Sequence, residues 1–156
     1  MHDLGVNLIG ELCPYFHGWK DYSCDAFSVL LDEAEKCGMV VNFHSSGEDE
    51  MDKMVEAHPD LVFVAAHLGG CLGFEPHATD EIVDLGCYAD TSALMKDWMR
   101  DEEMRLCRSW PTERLLFGTD FPWNVCSEAM VWVKSVRERS DWDAIFGGNA
   151  RRLLKI

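Results

Sequence analysis

A short apolar run closed off on both sides constrains this chain more than any other feature. Residues 114–123 read RLLFGTDFPW: Leu115, Leu116 and Phe117 form the run, Gly118 and Thr119 lead to Asp120, and Phe121, Pro122 and Trp123 stop any strand directly afterwards. A run this short, bounded by Gly and Pro, suits a strand buried on both faces, as in a parallel sheet. Asp120 then stands at the carboxyl end of that strand, where α/β folds place their chemistry. A strand-end Asp also caps loops, so its weight depends on the other strand ends.

The rest of the chain repeats the pattern. Residues 5–12 (GVNLIGEL) read as a strand ending at Glu11, and a loop over 14–22 carries Tyr15, Phe16, His17 and Trp19, a heavy aromatic load that suits a cover over a site. Ser23 or Asp25 can cap a helix in which Ala26, Phe27, Leu30, Ala34 and Cys37 recur at helical spacing, with Gly38 just past its end. A strand over 39–43 precedes His44, a turn over 46–49 leads to a helix over 50–57, and a strand over 61–66 (LVFVAA) precedes His67. Pro76 opens a helix to about Leu85, a brief strand over 87–89 leads to Asp90, Thr91 and Ser92, and a helix spans 97–109. After the 114–118 strand, Ser127 caps a helix through Arg139, residues 142–146 begin a last segment, and Gly147, Gly148 and Asn149 turn the chain into a closing helix over 150–155. Five strands, each followed by a helix, predict a parallel sheet with right-handed crossovers.

Three of these strands end in a group able to bind a metal: His44, His67 and Asp120. Parallel strands place their carboxyl ends on one side, and neighbours lie about 4.8 Å apart, so ligands from several ends can meet at one ion. Imidazole and carboxylate suit zinc and, less selectively, manganese, iron or nickel. Each His alone reads first as a packed core or loop histidine, and two at equivalent strand ends with an Asp at a third shift the balance. Glu11 is a fourth strand-end candidate, and His17 can reach the same face from its loop. A carboxylate beside a metal-bound water can take its proton and return it to a leaving group, which makes hydrolysis the natural reaction class.

Composition bounds the partners. With 156 residues the chain predicts a single domain over 1–156. A net charge of −14 with 14 basic residues argues against nucleic acid or an anionic membrane as partner. The seven cysteines (13, 24, 37, 71, 87, 107 and 126) are odd in number and form no CxxC, which reads as reduced structural thiols rather than a disulfide framework or thiolate metal site. No stretch has the form of a leader or a membrane span, so a cytoplasmic protein is the expectation.

Five stretches together, VVNFHSS at 40–46, HPDLVFVAAHLGG at 58–70, YADTSA at 88–93, RLLFGTDFPW at 114–123 and IFGGNARRLL at 145–154, resemble in order and spacing the amidohydrolase-related family of metal-dependent hydrolases. The resemblance spans essentially the whole chain. It implies an α/β fold, a partial (β/α)8 TIM-like barrel of about five β/α units corresponding to strands four to eight. It also implies a divalent metal, most often zinc, at the carboxyl strand ends. His44 and His67 match the family's histidines of strands five and six, and Asp120 the strand-eight acid that binds metal and serves as acid/base. GELCPY at 10–15 resembles the strand-four segment, which carries over Glu11 as a metal ligand. Tyr15, His17, Trp19 and Trp123, with Phe121, are then the residues expected to shape a pocket for a small-molecule substrate.

The family's first-strand HxH motif has no counterpart, because no two histidines here are two apart. A complete barrel needs eight strands and roughly 250 residues. Five units leave two sheet edges and an apolar inner face unpaired, which predicts self-association, docking of the missing N-terminal half-barrel, or poor stability. Three readings follow: a hydrolase, a decarboxylase on the same scaffold, or a half-barrel remnant without chemistry.

Overall fold

The computed structural model describes residues 5–13, 16, 18, 22, 24–44, 48–70, 83–94 and 100–156. Five strands, β1 (Leu8–Leu12), β2 (Val40–Phe43), β3 (Val62–Ala65), β4 (Tyr88–Asp90) and β5 (Leu115–Leu116), form one sheet in the order β1-β2-β3-β4-β5, every pair parallel. Sequential, all-parallel order is that of a barrel wall. Helices α1 (Asp25–Lys36), α2 (Glu48–Ala57) and α3 (Arg100–Ser109) connect strands, and α4 (Cys126–Val136) and α5 (Asn149–Leu154) follow β5. Among the described residues no helix is long and apolar enough to cross a membrane.

Side-chain alternation sorts the strands into two faces. Val41, Phe43, Phe63, Ala65, Ala89 and Leu115 pack with Phe27, Leu31 and Ala34 of α1, Leu106 of α3 and Trp132 and Val133 of α4 in the main core. Burial of each larger apolar side chain contributes about 1.5–3 kcal/mol. Val40, Val64 and Leu116 point the other way, where Ala150, Leu153 and Leu154 of α5 pack against them. The inner face expected to stand unpaired is therefore partly covered by the chain's own last helix. Asn149, fully buried, anchors that helix: its Nδ2 donates to the carbonyls of Thr112 (2.6 Å) and Leu115 (2.8 Å).

Several boundaries differ from the sequence reading, each for a local reason. The strand expected over 114–118 pairs only at Leu115–Leu116. Beyond it Phe117 N–H donates to Ile145 O (3.1 Å) and Gly118 N–H to Thr91 Oγ1 (3.2 Å), so the backbone leaves the ladder. Ser127 does not cap α4: the N–H groups of Glu128 and Ala129 already reach Val125 O, which makes Val125 the cap position. The helix ends at Val136 rather than Arg139, with Arg137 extended. Asp25 lies inside the first turn of α1, Cys24 takes the cap position without a side-chain bond, and the buried stripe is Phe27, Leu31 and Ala34, with Ala26 exposed. Glu48 and Asp49 already belong to α2. Gly147 and Gly148 lie in a π-helical turn (Ala144–Gly148) that runs directly into α5, and a Cβ on Gly148 would stand 2.9 Å from Asp143 O. Tyr15, His17, Trp19, Ser23, Ser46, Cys71 and most of the helix expected from Pro76 lie outside the described residues.

Candidate metal centre

Glu11, His44 and His67 meet at the carboxyl ends of β1, β2 and β3. Each offers one ligand atom, and the three atoms lie within 4.8 Å of one another, a candidate metal-binding group among the described residues. The same oxygen, Glu11 Oε1, stands 2.9 Å from His44 Nδ1 and 3.0 Å from His67 Nε2. The two imidazole rings are edge-on, with centroids 5.2 Å apart. Both histidines are buried, and the Glu11 side chain is 31% exposed, so the cluster opens to solvent on the carboxylate side.

A bulge in β1 puts Glu11 there. Leu8 pairs with Val40 and Ile9 with Val41, but Leu12 pairs with Phe43, one residue late. Strict alternation would send Glu11 to the same side as Ile9, into the helix-facing core. The extra residue reverses that side, bends the strand and aims the carboxylate at the histidines. The Tyr22 hydroxyl, 2.7 Å from Leu12 O and 2.5 Å from His44 O, ties the two strand ends just beyond the ligands.

Backbone strain gathers on this rim. His67 (φ 56°), Leu68 (φ 53°), Ala93 (φ 50°) and Asp120 (φ 58°) all adopt the left-handed conformation that non-glycine residues avoid. Such residues persist where their surroundings over-determine them, commonly at functional sites.

Charges are coupled across the cluster. Hydrogen bonds from His44 and His67 hold the Glu11 carboxyl far below the usual carboxylate range, against the opposing effect of burial. For His67, burial disfavours the charged ring, but the bond to Glu11 and the nearby Asp90, Glu11 and Asp120 carboxylates outweigh it and raise its pKa. Asp120 is raised: partial burial, with Glu11 and Asp90, exceeds the pull of His67 and His44. Asp120 thus feels the cluster without belonging to the close group of three. Trp123, whose N–H donates to Asp120 O (2.8 Å), and Phe121 are both strongly exposed on the loop after Asp120. Tyr15, His17 and Trp19 lie outside the described residues.

Asp90 and Ser92 carry weight that the sequence reading did not assign. Asp90 ends β4, is buried, and accepts from His67 N–H (3.1 Å), Ser92 N–H (2.9 Å), the Ser92 hydroxyl and Asn42 Nδ2 (3.0 Å). The available signal was that Asp90, like Asp120, is an acid closing a buried strand.

A family model described as Amidohydrolase matches residues 14–156. The chain belongs to the amidohydrolase family. Glu11 lies just ahead of the matched segment. No curated protein matches this chain. Among solved structures it is similar to an uncharacterized TIM-barrel protein from Bordetella bronchiseptica (20% identity, TM-score 0.73, 98% of this chain and 58% of that one). It is also similar to a putative 2-pyrone-4,6-dicarboxylic acid hydrolase from Pseudomonas putida (19% identity, TM-score 0.71, 99% and 65%). A third likeness is to a dihydroxybenzoic acid decarboxylase from a Polaromonas species with bound manganese and the inhibitor 2-nitroresorcinol (16% identity, TM-score 0.62, 86% and 55%). At these identities the likeness shows the fold, a partial TIM barrel. The chain spans less than two thirds of the length of each of these proteins.

Proposed function

We propose that this chain carries the cation-binding wall of a metal-dependent hydrolase that cleaves a C–N or C–O bond of a small molecule. The observation that carries the reading is the convergence of Glu11, His44 and His67 from three adjacent strand ends. The donor set fits a divalent cation. Two imidazole nitrogens and a carboxylate oxygen are ligands of catalytic zinc. Here one carboxylate oxygen already lies 2.9 and 3.0 Å from the two ring nitrogens, and all three atoms lie within 4.8 Å of one another, so Glu11, His44 and His67 would hold the ion. Zinc is the first choice, and manganese is compatible with the same donors.

When bound, the cation supplies a strongly acidified water and polarises a substrate oxygen. The chain's own groups do the rest. Glu11 provides the negative charge at the centre of the cluster. Asp120 has its pKa raised, which suits a group that accepts a proton and hands it to a leaving group. Phe121 and Trp123, on the loop after Asp120, supply apolar walls for the substrate, and Tyr15, His17 and Trp19 are the further substrate-binding candidates from the sequence.

Asp120→Asn should lower turnover of ester, lactone or amide substrates by about 10² or more, with the fold and metal content retained. Unchanged turnover sinks the assignment of Asp120. Elemental analysis should find one divalent ion per chain, lost in His67→Ala. A second reading, decarboxylation of an aromatic acid, is favoured by the likeness to the manganese-bound decarboxylase. Release of carbon dioxide rather than a hydrolysed product would decide for it.

A further inference from the structure

His67 has two ring nitrogens, and only one of them can offer a lone pair to a cation while the other carries the proton. Nε2 faces Glu11 Oε1 at 3.0 Å, inside the cluster. Nδ1 faces away, 2.9 Å from Ser92 Oγ and 3.2 Å from Ser92 O. The carbonyl can only accept. The hydroxyl could donate or accept, but its proton is committed elsewhere, because Ser92 Oγ is also in a short contact with Asp90 Oδ1.

Asp90 is held so that it cannot release that proton's position. Its Oδ1 also takes the N–H of Ser92 (2.9 Å) and of His67 (3.1 Å), and its Oδ2 takes Asn42 Nδ2 (3.0 Å). The Asn42 amide has no freedom to turn over: its Oδ1 is a buried atom without a hydrogen-bond partner, and a flip would set that oxygen against the carboxylate. Four donors from β2, the end of β3 and the end of β4 therefore converge on one buried carboxylate. One of them is the backbone N–H of His67, in its left-handed conformation.

We propose that Ser92 and Asp90 are positioning residues for His67, an Asp90–Ser92–His67 relay that keeps the proton on Nδ1 and turns the Nε2 lone pair toward the cation. Acceptors face both ring nitrogens, Glu11 at Nε2 and Ser92 at Nδ1, so once a cation takes the place of a proton at Nε2 the proton that remains is the one on Nδ1. Groups of this kind, one step removed from the ion, typically shift metal affinity 10–100-fold. Gly118 makes room for the relay: a Cβ there would lie 3.1 Å from Ser92 Cβ and 3.4 Å from Asp90 Cγ.

The inference rests on the metal-centre reading above, and its test separates the two. Affinities for Zn2+ and Mn2+ alone are measured by competition with a chromophoric chelator for the wild-type chain, Ser92→Ala and Ser92→Thr. Histidine-specific 15N NMR of the wild-type chain reads which His67 nitrogen is protonated, with and without metal. Ser92→Ala should bind about tenfold more weakly, the retained Ser92 carbonyl limiting the loss, and Ser92→Thr should recover most of it. The spectra should show Nδ1 protonated in both states. Equal affinity in Ser92→Ala and wild type, or a neutral His67 with a bare Nδ1, overturns the relay. If the wild-type chain binds neither ion, the metal reading fails by itself, and metal-free spectra recorded at a pH high enough for the ring to carry a single proton still decide for or against the relay.

Discussion

Glu11→Gln removes one charge from the centre of the site while preserving side-chain shape, and its effect on the metal-free chain can be worked out. Glu11 Oε1 lies 2.9 Å from His44 Nδ1 and 3.0 Å from His67 Nε2. Hydrogen bonds to charged groups contribute about 1.5–3 kcal/mol each. The Glu11 side chain is 31% exposed, so solvent screens part of that, and a total loss of about 2 kcal/mol is expected. The loss should depend on pH. Glu11 has a depressed pKa in the folded chain, so its contribution is present above the unfolded value of about 4.3 and fades as pH falls toward the folded one. His67 has a raised pKa, so its contribution is present below about 6.5 and is lost as pH rises through the folded value. Both charges coexist most fully between those limits. Urea unfolding with chelator present should show the largest gap between wild type and Glu11→Gln near about pH 5.5, shrinking toward about pH 9. An equal gap at both pH values, or no gap at all, would refute the coupling of Glu11 to His67.

Three further outcomes test the frame around the site. Asn149→Ala should destabilise the chain by about 2–4 kcal/mol in urea unfolding, because it strands the carbonyls of Thr112 and Leu115 beside a buried gap. A loss below about 0.5 kcal/mol would mean that α5 is held by apolar packing alone. Gly118→Ala should cost about 1–3 kcal/mol by pressing on Ser92 at 3.1 Å, and should weaken metal binding alongside. Cys107, its thiol pushed up to about 12 by burial, should resist iodoacetamide in the native state while exposed Cys126 reacts, as read by mass spectrometry of labelled peptides. Fast native-state labelling of Cys107 would contradict the core assigned around α3.

Much of this molecule is written locally. The apolar runs before His44 and His67 are strands because nothing but a doubly covered parallel sheet buries Val40–Phe43 and Val62–Ala65, and alternation with helices sets the strand order. The positions of His44 and His67 just past their strands follow from that, as does Gly38 closing α1 with a positive φ, whereas Asp120 lies on the loop beyond the shortened β5. Weak boundaries failed where a tertiary partner took over the backbone. β5 stops at Leu116 because Thr91 and Ile145 capture the next amides, and Ser127 loses its capping role because Val125 O begins the helical ladder.

The sequence by itself determined which residues stand at the carboxyl ends of parallel strands, because hydrophobic period and bounding Gly and Pro are properties of neighbouring residues. Only the tertiary structure decided which of those residues meet. The bulge that turns Glu11 to the histidines exists only as a register difference between β1 and β2. The setting of His67 depends on Asp90 and Ser92, 23 and 25 residues further along. Register and hydrogen-bond direction are relations between distant segments, and no local pattern encodes them.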